Sequence, residues 1–465
     1  MFSLLSTISQ VIAVWLALLG LFISPPHFSD DELPPSQPDE VFIVNAKNAE
    51  LTDDVAKVVE GSGARVLQRW ESIGVLIVAT ADRAELERLA DLDQIDSIGE
   101  VKNDLPYDGP ETEGEQVEVP HEEAVLSPPS SVEAKELGTV GVHDEEELEP
   151  INEDDPLWRL RAVDALDIDA TGTGATVAVL DSGIDATHPD LAHSVSQQGS
   201  VDCSEFGVPA LSKTGPLVDP RAHGTAVAGI IAASGSNPGI VGIAPDATLL
   251  SMRVINSENQ VNAANLVCGL VKAADSGANV ATMSFGLDPW KFWGVKDPGY
   301  EAVLEALTRA TDYARSNNVT LVASVGNEGV DFDFVEQQTG KRRLPVSMEG
   351  VVGVGSINLS LARSGFSNFG SDVVDLMAPG NGIYSTWPDS EYGFNFGTSF
   401  ATPHVAAVIA LLKSLDPRLS EDSVVELLFS TATDLGEPGR DGDYGYGLLN
   451  ARSAVDALRR SLVAS

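Results

Sequence analysis

From about Asp155 to the C-terminus, short runs of apolar and β-branched residues alternate with stretches of helical period. Ala175–Leu180, Thr248–Val254, Val280–Phe285, Thr320–Val325 and Val351–Ser356 read as strands, with His223–Ala233, Ala263–Ala274 and Tyr300–Ser316 as helices between them. Strands separated by helices form a parallel sheet, and such a sheet buries its apolar runs only when helices cover both faces. Open sheets of this kind place their sites where strands end and helices begin. The expected fold class for residues 156–465 is therefore α/β, a parallel sheet with helices on both faces.

A smaller unit precedes it. Val41–Ala46 reads as a strand, Thr52–Glu60 as a helix, Arg65–Arg69 and Gly74–Ala79 as strands, Ala81–Leu92 as a helix and Ile95–Val101 as a closing strand. The β-α-β-β-α-β order is the split-βαβ pattern of a small α+β, ferredoxin-like domain over residues 41–105. Residues 106–155 are dominated by Asp, Glu, Pro and Ser, with Lys135 their only basic residue apart from histidine. Such a segment cannot bury enough apolar surface to fold alone, so it reads as an acidic, disordered linker. Residues 29–40 form a second linker, polar and Pro-rich.

Within residues 1–28, the apolar run from Val11 to Ile23 has no Lys or Arg ahead of it. Its length suits a signal peptide better than a full span of about 20 residues. Counted from Leu4, however, it approaches an uncleaved membrane anchor, and both readings stay open. Either one implies export, to a secreted state or to the outer face of the cell membrane, with membrane contact only through this segment. The net charge of −42 and pI near 4.2 argue against nucleic acid as a partner. Acidity with so few lysines fits a surface that stays hydrated in concentrated salt; the plainer alternative is an acidic exported protein with one acidic linker. The two cysteines, Cys203 and Cys268, are too few for a disulfide framework, and a single bridge or two buried thiols both remain open.

Three local sequences carry chemistry. Asp181 closes the run Val177–Leu180 and leads into Ser182-Gly183-Ile184-Asp185; His223 opens His223-Gly224-Thr225; Ser399 lies in Gly397-Thr398-Ser399-Phe400-Ala401-Thr402-Pro403-His404. A hydroxyl nucleophile needs a base to take its proton, and the base needs a carboxylate to hold its tautomer. The order Asp, His, Ser is the subtilisin-type solution. With Thr282-Met-Ser284-Phe285-Gly286, Ala323–Gly329 and Tyr444–Asn450, residues 157–460 resemble the catalytic domain of the subtilase serine proteases, and residues 41–104 resemble their inhibitory propeptide.

The resemblance implies a role for each residue. Ser399 would be the nucleophile, His223 the base and Asp181 its orienting carboxylate, with Asn327 as side-chain oxyanion donor. Protein or peptide substrate would lie extended along Ser284, Phe285 and Gly286, with Ser324 and Gly326 lining the first specificity pocket. The chain's own propeptide would be a further partner, cut near Asn103–Asp108. No cofactor is expected for catalysis. His188-Pro189-Asp190 resembles a turn whose carboxylate binds structural calcium in some relatives, making Asp190 a candidate ligand together with the loop Ser234–Ile240; ordinary turn chemistry is the alternative. Arg343 reads either as a basic pocket floor or as a solvated loop charge, Trp290 and Trp293 as a cleft rim or loop packing, and His404 as a packed structural histidine.

Other classes fit less well. A lipase or esterase would place Ser first, inside G-x-S-x-G, whereas Ser399 comes last and has Ala401 two residues on. The acid-active sedolisins use Glu in place of His223 and Asp in place of Asn327. A catalytically silent binding protein on the same fold is the remaining alternative, since a fold alone does not guarantee activity.

Overall fold

The computed structural model describes residues 40–101 and 157–464, apart from 210–214, 236–238, 288–293, 295 and 297–298. The apolar N-terminal run, both linkers, the proposed cut site, Trp290, Trp293, Ser236 and Pro238 lie outside these residues. The described residues cluster as one compact unit.

The N-terminal part contains β1 (Val41–Ala46), α1 (Thr52–Gly61), β2 (Arg65–Trp70), β3 (Val75–Ala79), α2 (Arg83–Glu87) and β4 (Ile95–Glu100). Its sheet runs β2-β3-β1-β4, antiparallel throughout, in agreement with the split-βαβ expectation. Where one helix was expected over Ala81–Leu92, α2 gives way to a short 3₁₀ turn at Arg88–Asp91. Val41, Ile43, Val75 and Ile77 share one apolar core with the larger part of the molecule. Phe42, Val44, Leu76 and Val78, which alternate with them, form a separate core with α1.

The larger part comprises α3 (Trp158–Ala162), β5 (Thr176–Asp181), β6 (Val195–Asp202), α4 (His223–Ala232), β7 (Thr248–Arg253), α5 (Ala263–Asp275), β8 (Val280–Met283), α6 (Tyr300–Ser316), β9 (Thr320–Ser324), α7 (Phe332–Thr339), β10 (Val351–Ile357), β11 (Leu376–Pro379), β12 (Asn381–Trp387), β13 (Glu391–Phe396), α8 (Thr398–Leu415), α9 (Glu421–Thr431) and α10 (Ala451–Ala464). Seven strands form a parallel sheet in the order β11-β10-β9-β8-β5-β7-β6. Val177–Leu180, Val280–Met283 and Leu321–Ser324 are buried throughout, as expected of strands covered on both faces. The chain runs one way from β5 to β7 and β6 and the other way to β8 through β11. The strand order therefore reverses at β5, whose C-terminal residue is Asp181.

Helix α8 is mostly apolar, and of its first sixteen residues all but Ser399 are buried. Among the described residues it alone is long and apolar enough to cross a membrane, yet 83% of it is buried inside the protein. Cys203 and Cys268 are joined in a disulfide that ties the segment after β6 to α5. The N-terminal sheet docks on α6. Asn45 Nδ2 donates to the Ala302 carbonyl at 3.0 Å, Arg309 donates to the Ala46 and Gly74 carbonyls, and Lys272 lies 5.4 Å over the Trp70 ring.

Candidate active site

Asp181 is 1% exposed, and its Oδ1 accepts a hydrogen bond from His223 Nδ1 at 2.8 Å. That bond leaves Nε2 of His223 able to take a proton. The Ser182 N–H and hydroxyl also reach Asp181 Oδ1, at 2.7 and 3.2 Å. The close approach of α4 to β5 depends on Gly224, where a Cβ would fall 2.1 Å from the Gly183 carbonyl oxygen and 3.0 Å from Asp181 Cβ. Asp, His and the start of their helix therefore fit only because residue 224 has no side chain.

Asp219 was not singled out in the sequence. It is 6% exposed and accepts from Ser182 Oγ at 2.8 Å, Arg221 N at 3.0 Å, Thr225 N at 2.8 Å and Thr225 Oγ1 at 2.7 Å. It satisfies N–H groups at the start of α4, where a negative charge is favourable. An Asp just ahead of a helix start was the legible signal. Ser182 Oγ lies between the two carboxylates, so Asp219 supports Asp181 and, through it, His223. Burial pushes the His223 pKa down, but the Asp181 charge and hydrogen bond and the Asp219 charge outweigh it, and the net shift is upward. The Phe400 ring packs against His223 with centroids 5.1 Å apart.

Ser399 sits in the first turn of α8. Pro403, four residues on, has no N–H to give the Ser399 carbonyl. Ser284 supplies the missing donor: its hydroxyl reaches that carbonyl at 2.8 Å. In return the Ser399 hydroxyl donates to the Ser284 carbonyl at 2.9 Å. The Ser399 hydroxyl is therefore bonded to Ser284, and among the described residues it makes no hydrogen bond to His223. Catalytic hydrogen bonds are often looser without substrate.

Asn327 is exposed, but its amide is held. Oδ1 accepts from Thr398 N at 2.9 Å and Thr398 Oγ1 at 3.0 Å, which turns Nδ2 toward Gly397, where a Cβ would lie 3.2 Å away. The Thr398 hydroxyl in turn accepts from Gly326 N at 3.1 Å. Ser284 is buried, as are Phe285 and Ser324, with Gly286 partly open at the surface. Apart from the Ser284 carbonyl, no backbone group of 284–286 is hydrogen-bonded among the described residues. Ser284–Gly286 and Ser324–Gly326 thus both adjoin the segment that carries Ser399, through the Ser284 bonds and the Gly326 N–H to Thr398.

One open choice is decided. Arg343 is no solvated loop charge: it is 8% exposed and pairs with Glu328 at 3.2 Å. Asp190 is buried, and it accepts from Ser234 Oγ at 2.9 Å, Ile240 N at 3.0 Å and Tyr392 OH at 2.9 Å. Donors reach both carboxylate oxygens, and residues 236–238 of the loop expected to share a calcium with Asp190 lie outside the described residues. Among the described residues no three His, Cys, Asp or Glu side chains gather to hold a metal. His404 is fully buried, its Nδ1 bonded to the Phe400 carbonyl at 2.9 Å, with burial and then Arg159 lowering its pKa to about 3. It is a neutral packed residue, as expected.

The model of the Subtilase family matches residues 172–447. The chain is similar to subtilisin NAT of Bacillus subtilis subsp. natto, at 36% identity over 285 residues. That match covers 61% of this chain and 66% of the relative, just under two-thirds of its length. M-protease of Shouchella clausii (strain KSM-K16) is 34% identical over 331 residues, covering 70% of this chain and 77% of the relative. The fold is similar to that of the epidermin leader peptide processing serine protease of Staphylococcus aureus, with a TM-score of 0.68 at 21% identity, over 90% of this chain and 98% of that one.

Proposed function

Since the chain belongs to the subtilase family of serine proteases, we propose that it is an exported serine endopeptidase, made as a proenzyme and self-processed. The observation that carries this reading is the His223–Asp181 hydrogen bond at 2.8 Å beside a helix-terminal Ser399 and an amide-oriented Asn327. In the proposed reaction Ser399 Oγ attacks the scissile carbonyl carbon while His223 takes the proton. Asp181 stabilises the imidazolium, which the upward shift of the His223 pKa favours. Charge developing on the carbonyl oxygen is met by Asn327 Nδ2 and the Ser399 N–H. Collapse of the tetrahedral species breaks the C–N bond, and His223 returns the proton to the leaving amine. Water, deprotonated by His223, then hydrolyses the acyl-serine and restores the hydroxyl. Loss of the Asn327 donor would cost about a hundred- to a thousand-fold in turnover, a magnitude that comes from a subtilisin.

Residues 41–105 are proposed to act as the inhibitory propeptide; the shared core with α6 and the Asn45 and Arg309 contacts support this. Substrates are peptides and proteins, and the −42 charge supports a salt-adapted enzyme. The test is intact mass of wild type and Ser399→Ala, with casein hydrolysis followed across a salt series. Loss of residues 1 to about 105 in wild type only, with casein cleavage, is the expected result. Both proteins full length and inert at every salt concentration would favour the silent binding protein.

A further inference from the structure

We propose that Arg343 makes the pocket beside Ser399 selective for a carboxylate side chain, Asp or Glu, on the residue whose carbonyl is attacked; this rests on the protease reading above. Two backbone segments border the nucleophile. Ser284–Gly286 is tied to Ser399 by the reciprocal Ser284 bonds of 2.8 and 2.9 Å, and Ser324–Asn327 is tied to Thr398 by bonds of 3.1 and 2.9 Å. A carbonyl lying between Ser399 Oγ and Asn327 Nδ2 must send its own side chain into the slot between these segments.

Arg343 lies in that slot. A Cβ on Gly286 would meet its Nη2 at 2.8 Å, Cζ at 2.9 Å and Nε at 3.1 Å, and a Cβ on Gly326 would meet Cζ at 2.7 Å. Near-equal distances to three guanidinium atoms mean that its flat face stacks on Gly286, with Gly326 close to its centre. Both positions must be glycine to admit it.

The bonding of the guanidinium selects its ligand. Nη1 is taken by Glu328 Oε1 and Oε2, both at 3.2 Å, and Glu328 Oε2 also accepts from Asn368 Nδ2 at 2.7 Å. Nε is buried without a partner, and Nη2 makes no hydrogen bond among the described residues. With Nε covered and Nη1 taken, Nη2 is the donor left for a carboxylate oxygen, which it would meet in a charge-assisted bond. Glu328 holds the guanidinium in place before substrate arrives, so no ordering is needed on binding. A basic substrate side chain would meet Arg343, while the acid it needs is already neutralised. A long apolar one would meet a shortened slot and cover an unsatisfied N–H group, which is unfavourable.

The experiment compares internally quenched peptides that differ only at this residue (Glu, Asp, Gln, Leu, Arg), assayed in molar salt to screen the overall charge. Wild type is set against Arg343→Gln and the double variant Arg343→Gln/Glu328→Gln, which leaves no unpaired charge behind and is checked for folding by near-UV circular dichroism. Glutamate is isosteric with glutamine, so the Glu:Gln ratio of kcat/KM reads the charge contact rather than pocket shape. The expected ratio in wild type is about a hundred or more, collapsing to about one in the double variant. The proposal is overturned if wild type cleaves the Gln or Leu peptide as well as the Glu peptide, or if the ratio survives in the folded double variant. Labelling of Ser399 by a fluorophosphonate separates the two levels. Labelling without acidic preference defeats this proposal alone, whereas no labelling and no cleavage of any peptide defeats the protease reading and this one with it.

Discussion

Replacing Asp219 by Asn should move the acidic limb of the pH–activity profile to lower pH. The base works only when His223 is neutral, so activity falls as pH drops through its pKa. That pKa is raised in part by the Asp219 charge. Ser182 Oγ bridges the two carboxylates with contacts of 2.8 and 3.2 Å, and Asp181 lies 2.8 Å from the imidazole. Asp219 therefore acts on His223 from roughly 8 Å, where a unit charge is worth about 0.5 kcal/mol in bulk water and about 2 kcal/mol at an effective dielectric near 20. Its removal should lower the His223 pKa and carry the acidic limb with it. Because Asp219 is buried, the shift should persist in molar salt. The substitution also turns an amide N–H toward Arg221 N–H or Thr225 N–H, at a structural cost of about 1–3 kcal/mol. Thr225→Val is the control, removing a hydrogen bond to Asp219 without its charge. The assay is kcat/KM against pH for wild type and both variants. A limb that stays within about 0.2 units in Asp219→Asn, or moves to higher pH, would refute the reasoning.

Other consequences can be measured directly. The Cys203–Cys268 bridge joins residues 65 apart, so the double Ala variant should lose about 4 kcal/mol in denaturant unfolding; a loss under about 1 kcal/mol would mean that the link constrains the unfolded chain little. Asp190→Asn should lower the melting temperature equally in calcium and in EDTA, because Ser234, Ile240 and Tyr392 are the partners it disturbs. A loss seen only in calcium would show instead that the carboxylate serves a cation.

Most of the sheet was legible because its central strands are apolar throughout and its helices keep their period. Val195–Asp202 was not, for a physical reason: it is an edge strand of Ser, Gln and Gly, half exposed, with a shift in pairing between Ser196 and Val201. Its strand character comes from β7 beside it rather than from its own residues. The β12–β13 hairpin and the helices α9 and α10 likewise went unread. At the site, Asp181, His223 and Ser399 could be picked out because the roles proposed for them call for a carboxylate, an imidazole and a hydroxyl in that chain order. What sequence could not convey was side-chain direction. The Ser399 hydroxyl facing Ser284, the Asn327 amide turned by Thr398 and the Arg343 guanidinium folded between two glycines are all long-range contacts. The exchange between Pro403 and Ser284 is similar: a missing N–H could be read from the proline, but its substitute lies over a hundred residues away.

Helix α8 also governs how such a protein would wear out. Local opening of a fold begins where few apolar contacts hold the chain, at termini and loose loops. Thr398, Ala401, Thr402 and Val405 are all fully buried, so the turn carrying Ser399 is among the last places to loosen. Loss of reactivity and loss of structure then become one event with one rate constant. Working lifetime is set by the height of the unfolding barrier, not by the equilibrium margin. An ageing sample would hold fewer active molecules, each survivor turning over at full speed, rather than a population slowly growing sluggish.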